Sequence, residues 1–318
     1  MGTAGLGWSR QRSLTSHLGG RRAVPFDCEV TPRAWLLFAL SSVIWGVPYL
    51  FIKIAVDAGV PPGFVAWGRV ALGAALLVPF VLRRRVFRGL RGRLWWIAAY
   101  AACEIAVPFV LIAMGEQYIS SSLTAILIAT MPLLVALLSV WFAPVHRPTG
   151  LGVVGLVVGL GGVIALLGVD VGGRPHELLG AALVLAATLG YAAAPIIVSR
   201  YLADLDPLGP VAASLVLSTV VLLPAALVHP PHGMPGPAAL AAIGVLGVVC
   251  TVVGLVVFFQ LIAAAGPSRA SIVTYVNPVV AVIVGVLVLH EHVGLVSLVG
   301  LLLILSGSWL AAGGRAPA

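Results

Sequence analysis

Long apolar runs, separated by short connections rich in Pro, Gly or charge, dominate the pattern along the chain. A helix that crosses a bilayer needs about 20 mostly apolar residues, and ten runs approach that length. They lie at about 35–55, 64–82, 95–114, 121–142, 151–167, 178–198, 209–227, 238–264, 268–289 and 295–312. The alternation expected of membrane barrel strands is absent. The pattern predicts an all-α integral membrane protein with ten transmembrane helices.

The composition excludes a water-soluble enzyme or binding module. Hydrophobic residues make up 61% of the 318 residues and charged residues only 9%, against about 25% charged in a soluble domain. The net charge of +8 does not indicate nucleic acid as a partner, because Lys and Arg lie beside apolar segments. We expect the lipid bilayer and a small-molecule substrate as partners, and a homodimer stays open.

The placement of Lys and Arg predicts the orientation, because cytoplasmic loops of membrane proteins carry an excess of these residues. With the N-terminus inside, 15 of the 18 fall on cytoplasmic segments, and only Lys53 and Arg174 fall on the opposite side. Residues 1–33 lack the apolar stretch of a signal peptide, so we expect a disordered cytoplasmic tail there and another at 313–318. The prediction is a multi-pass inner-membrane protein with both termini in the cytoplasm.

The chain also repeats itself at a spacing of 146 residues, at which Trp45 is matched by Tyr191 and Pro132 by Pro278. Because each unit contains five helices, the second unit enters the membrane in the opposite sense, as in the inverted repeats of transporters. The loop after the second helix carries six Arg, whereas the equivalent loop after the seventh carries no Lys or Arg. The predicted inverted five-helix repeats are residues 34–168 and 177–312.

The order of several short motifs resembles the EamA-like branch of the drug/metabolite transporter superfamily. In the second half, Gly266-x-x-Arg-Ala-Ser begins the ninth helix, Pro278 lies in its middle and Glu291 at its far end. In the first half, Trp45-Gly46 is followed by Lys53, by Arg69 in the second helix, and by a Ser-rich segment leading to Pro132. The resemblance covers residues 35–312. It implies a ten-helix carrier that moves small metabolites by alternating access without ATP hydrolysis.

The sequence departs from the family pattern where the fourth helix leads to the fifth. Val145-His146-Arg147 stands in place of the glutamate that the family often has there. Glu291 therefore has no obvious symmetric partner. We expect Glu291, between His290 and His292, to be a solvated loop end rather than a metal ligand.

Polar and aromatic residues within the apolar runs are the candidates for a substrate cavity. Glu104 lies in the middle of the third helix, where an ionised carboxylate is costly. It must face the protein interior, bind a partner or be protonated, so it is also the candidate for proton coupling; the alternative is a carboxyl group that only packs. The cavity candidates are Trp45, Tyr49, Glu104, Gln260, Ser271, Tyr275 and Asn277.

Other residues predict the shape and the packing of the helices. Prolines inside helices remove a backbone hydrogen bond and favour kinks, and those expected to do so are Pro48, Pro108, Pro132 and Pro278. Four cations near predicted helix ends are expected to reach the headgroups, namely Lys53, Arg69, Arg200 and Arg269. Small residues of the fifth helix favour close packing, within the chain or between subunits: Gly152, Gly155 and Gly159.

Enzyme signatures are missing from the sequence: it has no phosphate-binding loop, no His-Glu-x-x-His motif and no Gly-x-Ser-x-Gly turn. We expect no enzymatic activity, no cofactor and no metal. Together with the resemblance, this favours a secondary transporter that exports a small metabolite or an amino acid, with proton coupling left open. The alternative is an intramembrane lipid-handling protein or an enzyme without transport.

Overall fold

The computed structural model describes residues 31–83, 89–142, 150–169 and 174–312. Residues 1–30 of the predicted N-terminal tail, the predicted C-terminal tail 313–318 and Val145-His146-Arg147 lie outside this part. Within it, ten apolar helices are present and no strand, which confirms the predicted all-α membrane architecture. The helices are α1 Pro32–Asp57, α2 Pro62–Arg83, α3 Arg91–Gly115, α4 Ser121–Val140, α5 Leu151–Gly168, α6 Pro175–Leu202, α7 Leu208–Val228, α8 Pro237–Ala265, α9 Val273–Leu289 and α10 Leu295–Ala311.

Two of the predicted kink prolines follow interruptions of their helices. The α1 helix is interrupted at Val47, directly before Pro48. The α4 helix is interrupted after Ile128 and resumes at Met131, so that Pro132 occupies the first turn of its second part. A first turn tolerates proline, because its N–H groups have no partner within the helix. Pro278 instead lies inside the continuous helix α9.

Three helices widen locally into π-helical turns, which contain one extra residue per turn. In α3 the widened turn spans Ala102–Ala106, directly before Pro108. In α6 it spans Val198–Leu202, and in α8 it spans Leu246–Val253. A π-helical turn changes which side chains face the centre of the bundle. The widened turns of α3 and α8 contribute side chains to the cavity that is described below.

The two ends of the bundle are packed differently. We call the end that contains Asp57 and Pro62 the outer end, and the opposite end the inner end, following the predicted orientation. Near the outer end, one core, which includes the buried Ile112, joins α1, α2, α3, α6 and α8. Towards the inner end, α1, α8 and α9 pack around Leu261, and α3 and α6 pack separately around Ile97. Among the described residues, these helices thus share one core near the outer end, whereas α1, α8 and α9 pack apart from α3 and α6 towards the inner end.

Glycines hold α5 and α10 in direct backbone contact. A Cβ atom built on Gly307 would lie 2.5 Å from Gly159 N and 2.6 Å from Gly155 O. No residue with a side chain fits there without moving a helix. Gly155 and Gly159 of α5 therefore pack against α10 of the same chain.

Candidate functional site

A central cavity of about 280 Å³ lies between α1, α2, α3, α4, α6, α7, α8 and α9. Its wall is mostly apolar and aromatic. Among the described residues that line it, only Arg69 and Glu104 are charged. An apolar pocket with a few convergent polar groups is the usual form of a small-molecule site, so this cavity is the candidate substrate site.

Arg69 is held inside the cavity by neighbours on two other helices. Its Nε donates a hydrogen bond to Thr251 Oγ1 at 3.1 Å, and its guanidinium carbon lies 3.8 Å from the centre of the Phe109 ring. Thr251 belongs to the widened turn of α8, and its hydroxyl also donates to the Leu246 carbonyl at 2.9 Å. The prediction that Arg69 reaches the headgroups is wrong, because these contacts direct it to the bundle centre.

Glu104 reaches the cavity from the widened turn of α3. Helix α6 packs tightly against this turn, since a Cβ atom built on Gly190 would lie 2.7 Å from the Cys103 carbonyl oxygen and 3.3 Å from Pro108. Pro108 therefore packs on α6 and is not part of the lining. Glu104 and Arg69 share the cavity but do not form one of the described salt bridges. Among the described residues, neither group is therefore neutralised by an ion pair with the other.

Aromatic side chains form much of the remaining wall. Trp45 and Tyr49 come from α1, Tyr100 from α3 and Tyr191 from α6. Trp45 packs against Phe258 of α8 with ring centres 4.5 Å apart. The wall thus offers ring faces, which bind both apolar groups and cations.

The structure brings together only part of the predicted cavity set. Trp45, Tyr49, Glu104 and Asn277 line the cavity, as do Pro48, Pro132 and Pro278. Gln260 lies outside it, at the exposed inner end, where its Oε1 accepts a hydrogen bond from Arg33 Nη2 at 3.4 Å.

Ser271 and Tyr275 are likewise absent from the lining, where Thr274 stands instead. The α9 helix begins only at Val273 and is preceded by a separate short helix, Pro267–Ala270. The i,i+4 relation that placed Ser271 and Tyr275 on one helical face does not hold across this interruption.

A second polar cluster, which the sequence did not predict, lies at the outer end. Lys53 Nζ donates to the Glu116 backbone carbonyl at 2.8 Å and pairs with Asp57 Oδ1 at 2.8 Å. Its side chain is only 18% exposed, so the prediction that Lys53 reaches the headgroups is wrong. Glu116 itself is fully buried. Its position directly after the third apolar run was the only sequence signal for this site.

Glu291 is part of the same outer region and is not a solvated loop end. Its Oε1 accepts hydrogen bonds from Ser121 N at 2.8 Å and Ser121 Oγ at 2.9 Å, and its Oε2 accepts from Ser122 N at 2.9 Å and Ser122 Oγ at 2.5 Å. His290 adopts the left-handed conformation, with φ 53°, and turns the chain back towards α4. The carboxylate therefore caps the N-terminus of α4, where unpaired N–H groups favour a negative charge.

Comparison with known proteins relates this architecture to transporters. Residues 33–168 and 178–313 each match the EamA-like transporter family. An uncharacterized inner membrane transporter of Escherichia coli, YedA, is 31% identical over 264 residues, which are 81% of this chain and 83% of the relative. An uncharacterized transporter of Archaeoglobus fulgidus is 27% identical and is matched over 87% of this chain and 98% of its own length.

A solved crystal structure also has a similar fold. It is related with a TM-score of 0.61 at 17% sequence identity, over 87% of this chain and 96% of the other. At this identity the similarity concerns the fold alone. The two family matches, by contrast, cover nearly all of the described helices, and the named relatives are transporters. The chain therefore belongs to the EamA-like transporter family.

Proposed function

We propose that the protein exports a small zwitterionic metabolite, such as an amino acid, by alternating access. The observation that carries this proposal is the presence of a guanidinium group and a carboxyl group, those of Arg69 and Glu104, in a single aromatic-walled cavity. A guanidinium group binds a carboxylate through paired hydrogen bonds, and a carboxylate binds an ammonium group. A substrate that carries both charges satisfies both residues.

The size of the cavity supports a small substrate. Its volume of about 280 Å³ is at the lower limit of ligand pockets, which span about 300–1,000 Å³. The aromatic rings around Tyr49 favour a substrate with an apolar or cationic part. A large lipid would need a groove open to the bilayer.

The packing of the two bundle ends supports alternating access. The outer end shares one core, whereas the inner halves of α1, α8 and α9 pack apart from those of α3 and α6. The cavity lies between these two groups, with Trp45 on one side and Tyr100 on the other. This arrangement corresponds to a carrier that loads from its inner end, which is the direction of export when the inner end is cytoplasmic.

Metabolite levels provide the test of this proposal. Cells that overproduce the protein should release more of one zwitterionic metabolite and retain less of it than cells that lack the protein. Arg69→Gln should abolish the difference, because the substrate carboxylate then loses its charged partner. Arg83→Gln is the matched control, since Arg83 ends α2 outside the cavity lining.

Two results would contradict the proposal. One is an unchanged metabolite profile, inside and outside, between the two strains. The other is substrate turnover by detergent-solubilised protein without a sealed compartment, which would favour an intramembrane enzyme.

A further inference from the structure

A carboxyl group that does not line the central cavity is buried at the outer end of α3. Glu116 is 0% exposed, and among the described residues neither of its carboxyl oxygens meets a donor in hydrogen-bonding geometry. The nearby Thr124 hydroxyl donates instead to the Ser120 carbonyl at 3.0 Å. An ionised carboxylate that has lost water and gained no hydrogen bonds is strongly disfavoured. The geometry therefore corresponds to the neutral, protonated form of Glu116.

The charged groups that act on Glu116 come from α1 and from the segment after α9. The α1 helix provides Lys53 and Asp57, whose ion pair at 2.8 Å already neutralises the ammonium group. The segment after α9 provides Glu291, a further negative charge. Ionisation of Glu116 would therefore place three carboxylates around one ammonium group, which again favours the neutral form.

Helix α6 adds no compensating charge to this site. It packs on α3 through Gly180, where a Cβ atom would lie 2.9 Å from the Gly115 carbonyl oxygen. At the outer tip of α6, Glu177 pairs with Arg174, the residue before the helix, at 2.7 Å, and Arg200 lies at the opposite, inner end of the helix. The ring of His176 stacks on Tyr118, with centres 6.0 Å apart.

Glu116 lies among the contacts that hold the outer end closed. Lys53 ties α1 to the end of α3 through the Glu116 carbonyl. Glu291 ties the end of α9 to the first turn of α4 through Ser121 and Ser122. Opening the cavity outwards requires these helix ends to separate. Water would then reach the Glu116 carboxyl group.

We propose that Glu116 is a proton-binding site that controls closure of the outer end. With the proton bound, the neutral carboxyl group is buried and the outer end is closed. When the outer end opens, the O–H bond breaks, the proton passes to external water, and the remaining carboxylate pairs with the Lys53 ammonium. This inference rests on the proposed alternating access. It concerns a group separate from Glu104 and the substrate cavity.

The test is the pH dependence of access to the cavity from outside. A cysteine replaces Ile128, a cavity residue in the outer half of α4, in a chain without Cys28, Cys103 and Cys250. The rate at which a membrane-impermeant maleimide labels this cysteine is measured in cells. In these cells the reagent must have access to the outer face of the membrane that contains the protein. Each labelling rate is divided by the rate for Gly233→Cys at the same pH. Because Gly233 is an exposed loop position, this ratio corrects for the general rise in thiol reactivity with pH.

The normalised rate should rise several-fold as the external pH rises, because loss of the proton favours the open outer end. In Glu116→Gln it should be low at every pH, since the amide cannot ionise. The matched control Glu177→Gln removes an outer carboxyl group that pairs with Arg174 and does not line the cavity, and it should keep the pH dependence. A rate that is independent of pH in the parent protein, or a pH dependence that persists in Glu116→Gln, would overturn the proposal.

A second variant tests the same idea if Glu116→Gln does not fold. Asp57→Asn removes the present partner of Lys53 and leaves the ammonium group free to stabilise ionised Glu116. The midpoint of the pH dependence should therefore move to lower pH, and an unchanged midpoint would contradict the proposal. Because this measurement needs no substrate, its outcome is independent of whether the proposed metabolite is transported.

Discussion

At the residue scale, the shape of its side chain makes Arg69 suited to its place in the cavity. Its Nε donates a hydrogen bond to Thr251, and the planar guanidinium group lies over the Phe109 ring. In the function we propose, the two terminal nitrogens, Nη1 and Nη2, bind the substrate. Lysine cannot reproduce this arrangement, because its ammonium group is a compact point charge. The positive charge alone is therefore not sufficient for the function we propose.

The first prediction is that Arg69→Lys weakens substrate binding while the protein still folds. The loss of a stacked, bidentate contact costs about 1–2 kcal/mol, which corresponds to roughly tenfold in affinity. Titration of the transported metabolite into purified protein measures this change, with Arg83→Lys as the control. Equal affinities of the parent protein and Arg69→Lys would show that the guanidinium group does not contact the substrate.

The second prediction concerns Glu104, the proposed proton-coupling residue of the cavity. Glu104→Gln preserves the shape of the side chain but cannot bind and release a proton. In sealed vesicles, exchange of labelled substrate should continue, whereas accumulation driven by a pH gradient should stop. If the Gln variant still accumulates substrate against its gradient, Glu104 has only a packing or binding role.

Some of these residues could be identified from the sequence, and others could not. Glu104 and Trp45 stood out as polar or aromatic residues inside apolar runs, and both line the cavity. Arg69 was wrongly expected to reach the headgroups. It lies seven residues after the start of α2, which places it about 10 Å from that helix end at about 1.5 Å per residue. The Lys53–Glu116 contact joins positions 63 residues apart, so no local pattern could reveal it.

At the element scale, glycines determine how closely α5 and α10 pack. Two backbones in contact exclude every side-chain atom between them, as they do in small-residue interfaces of membrane helices. Gly161 lies between the contacting Gly159 and Gly162 but has open space around its own Cβ position. Ala substitutions at Gly307 and at Gly161 can therefore be compared. The comparison distinguishes the need for close helix packing from the general effect of Ala in place of Gly in a helix.

The third prediction is that Gly307→Ala destabilises the protein and Gly161→Ala does not. The new methyl group of Gly307→Ala would meet backbone atoms of Gly159 and Gly155, and such overpacking costs about 1–3 kcal/mol. Thermal unfolding in detergent should show a lower Tm for Gly307→Ala alone. Equal Tm values for the two variants would mean that α5 and α10 do not pack as described.

Apolar run length was sufficient to predict the ten helices, but not their interruptions. The bilayer imposes helix formation on each run, because backbone groups in lipid must bond within their own segment. Whether a proline interrupts its helix depends on neighbouring helices. Pro48 follows an interruption, whereas Pro278 lies within a continuous helix. The error at Ser271 and Tyr275 has the same origin, since their common face assumed an unbroken helix.

At the scale of the whole molecule, the charge distribution and the repeat spacing lead to one orientation. Arg83 at the end of α2 and Arg91 and Arg93 at the start of α3 lie at the inner end, and the connection that contains Gly233 lies at the outer end. We propose that the inner end is cytoplasmic, because Lys and Arg are retained on that side. The outer closure formed by Lys53, Glu116 and Glu291 then faces away from the cytoplasm.

The fourth prediction tests this orientation with single cysteines at Gly92 and Gly233. Both positions have open space for a Cβ atom, and neither has the positive φ that makes the neighbouring Gly89, at +92°, a poor site. In cells whose outer membrane surface is accessible, an impermeant thiol reagent should label Gly233→Cys and not Gly92→Cys. Labelling of both positions from outside, or of Gly92→Cys alone, would contradict the orientation.

The central claim is that a substrate crosses the membrane through the cavity that contains Arg69 and Glu104. Its most direct test is transport of a labelled zwitterionic metabolite by purified protein in liposomes. We expect uptake with the parent protein and with Arg83→Gln, and none with Arg69→Gln, although all three proteins are folded. Uptake that is unaffected by Arg69→Gln, or no uptake of any zwitterionic metabolite by the parent protein, would contradict it.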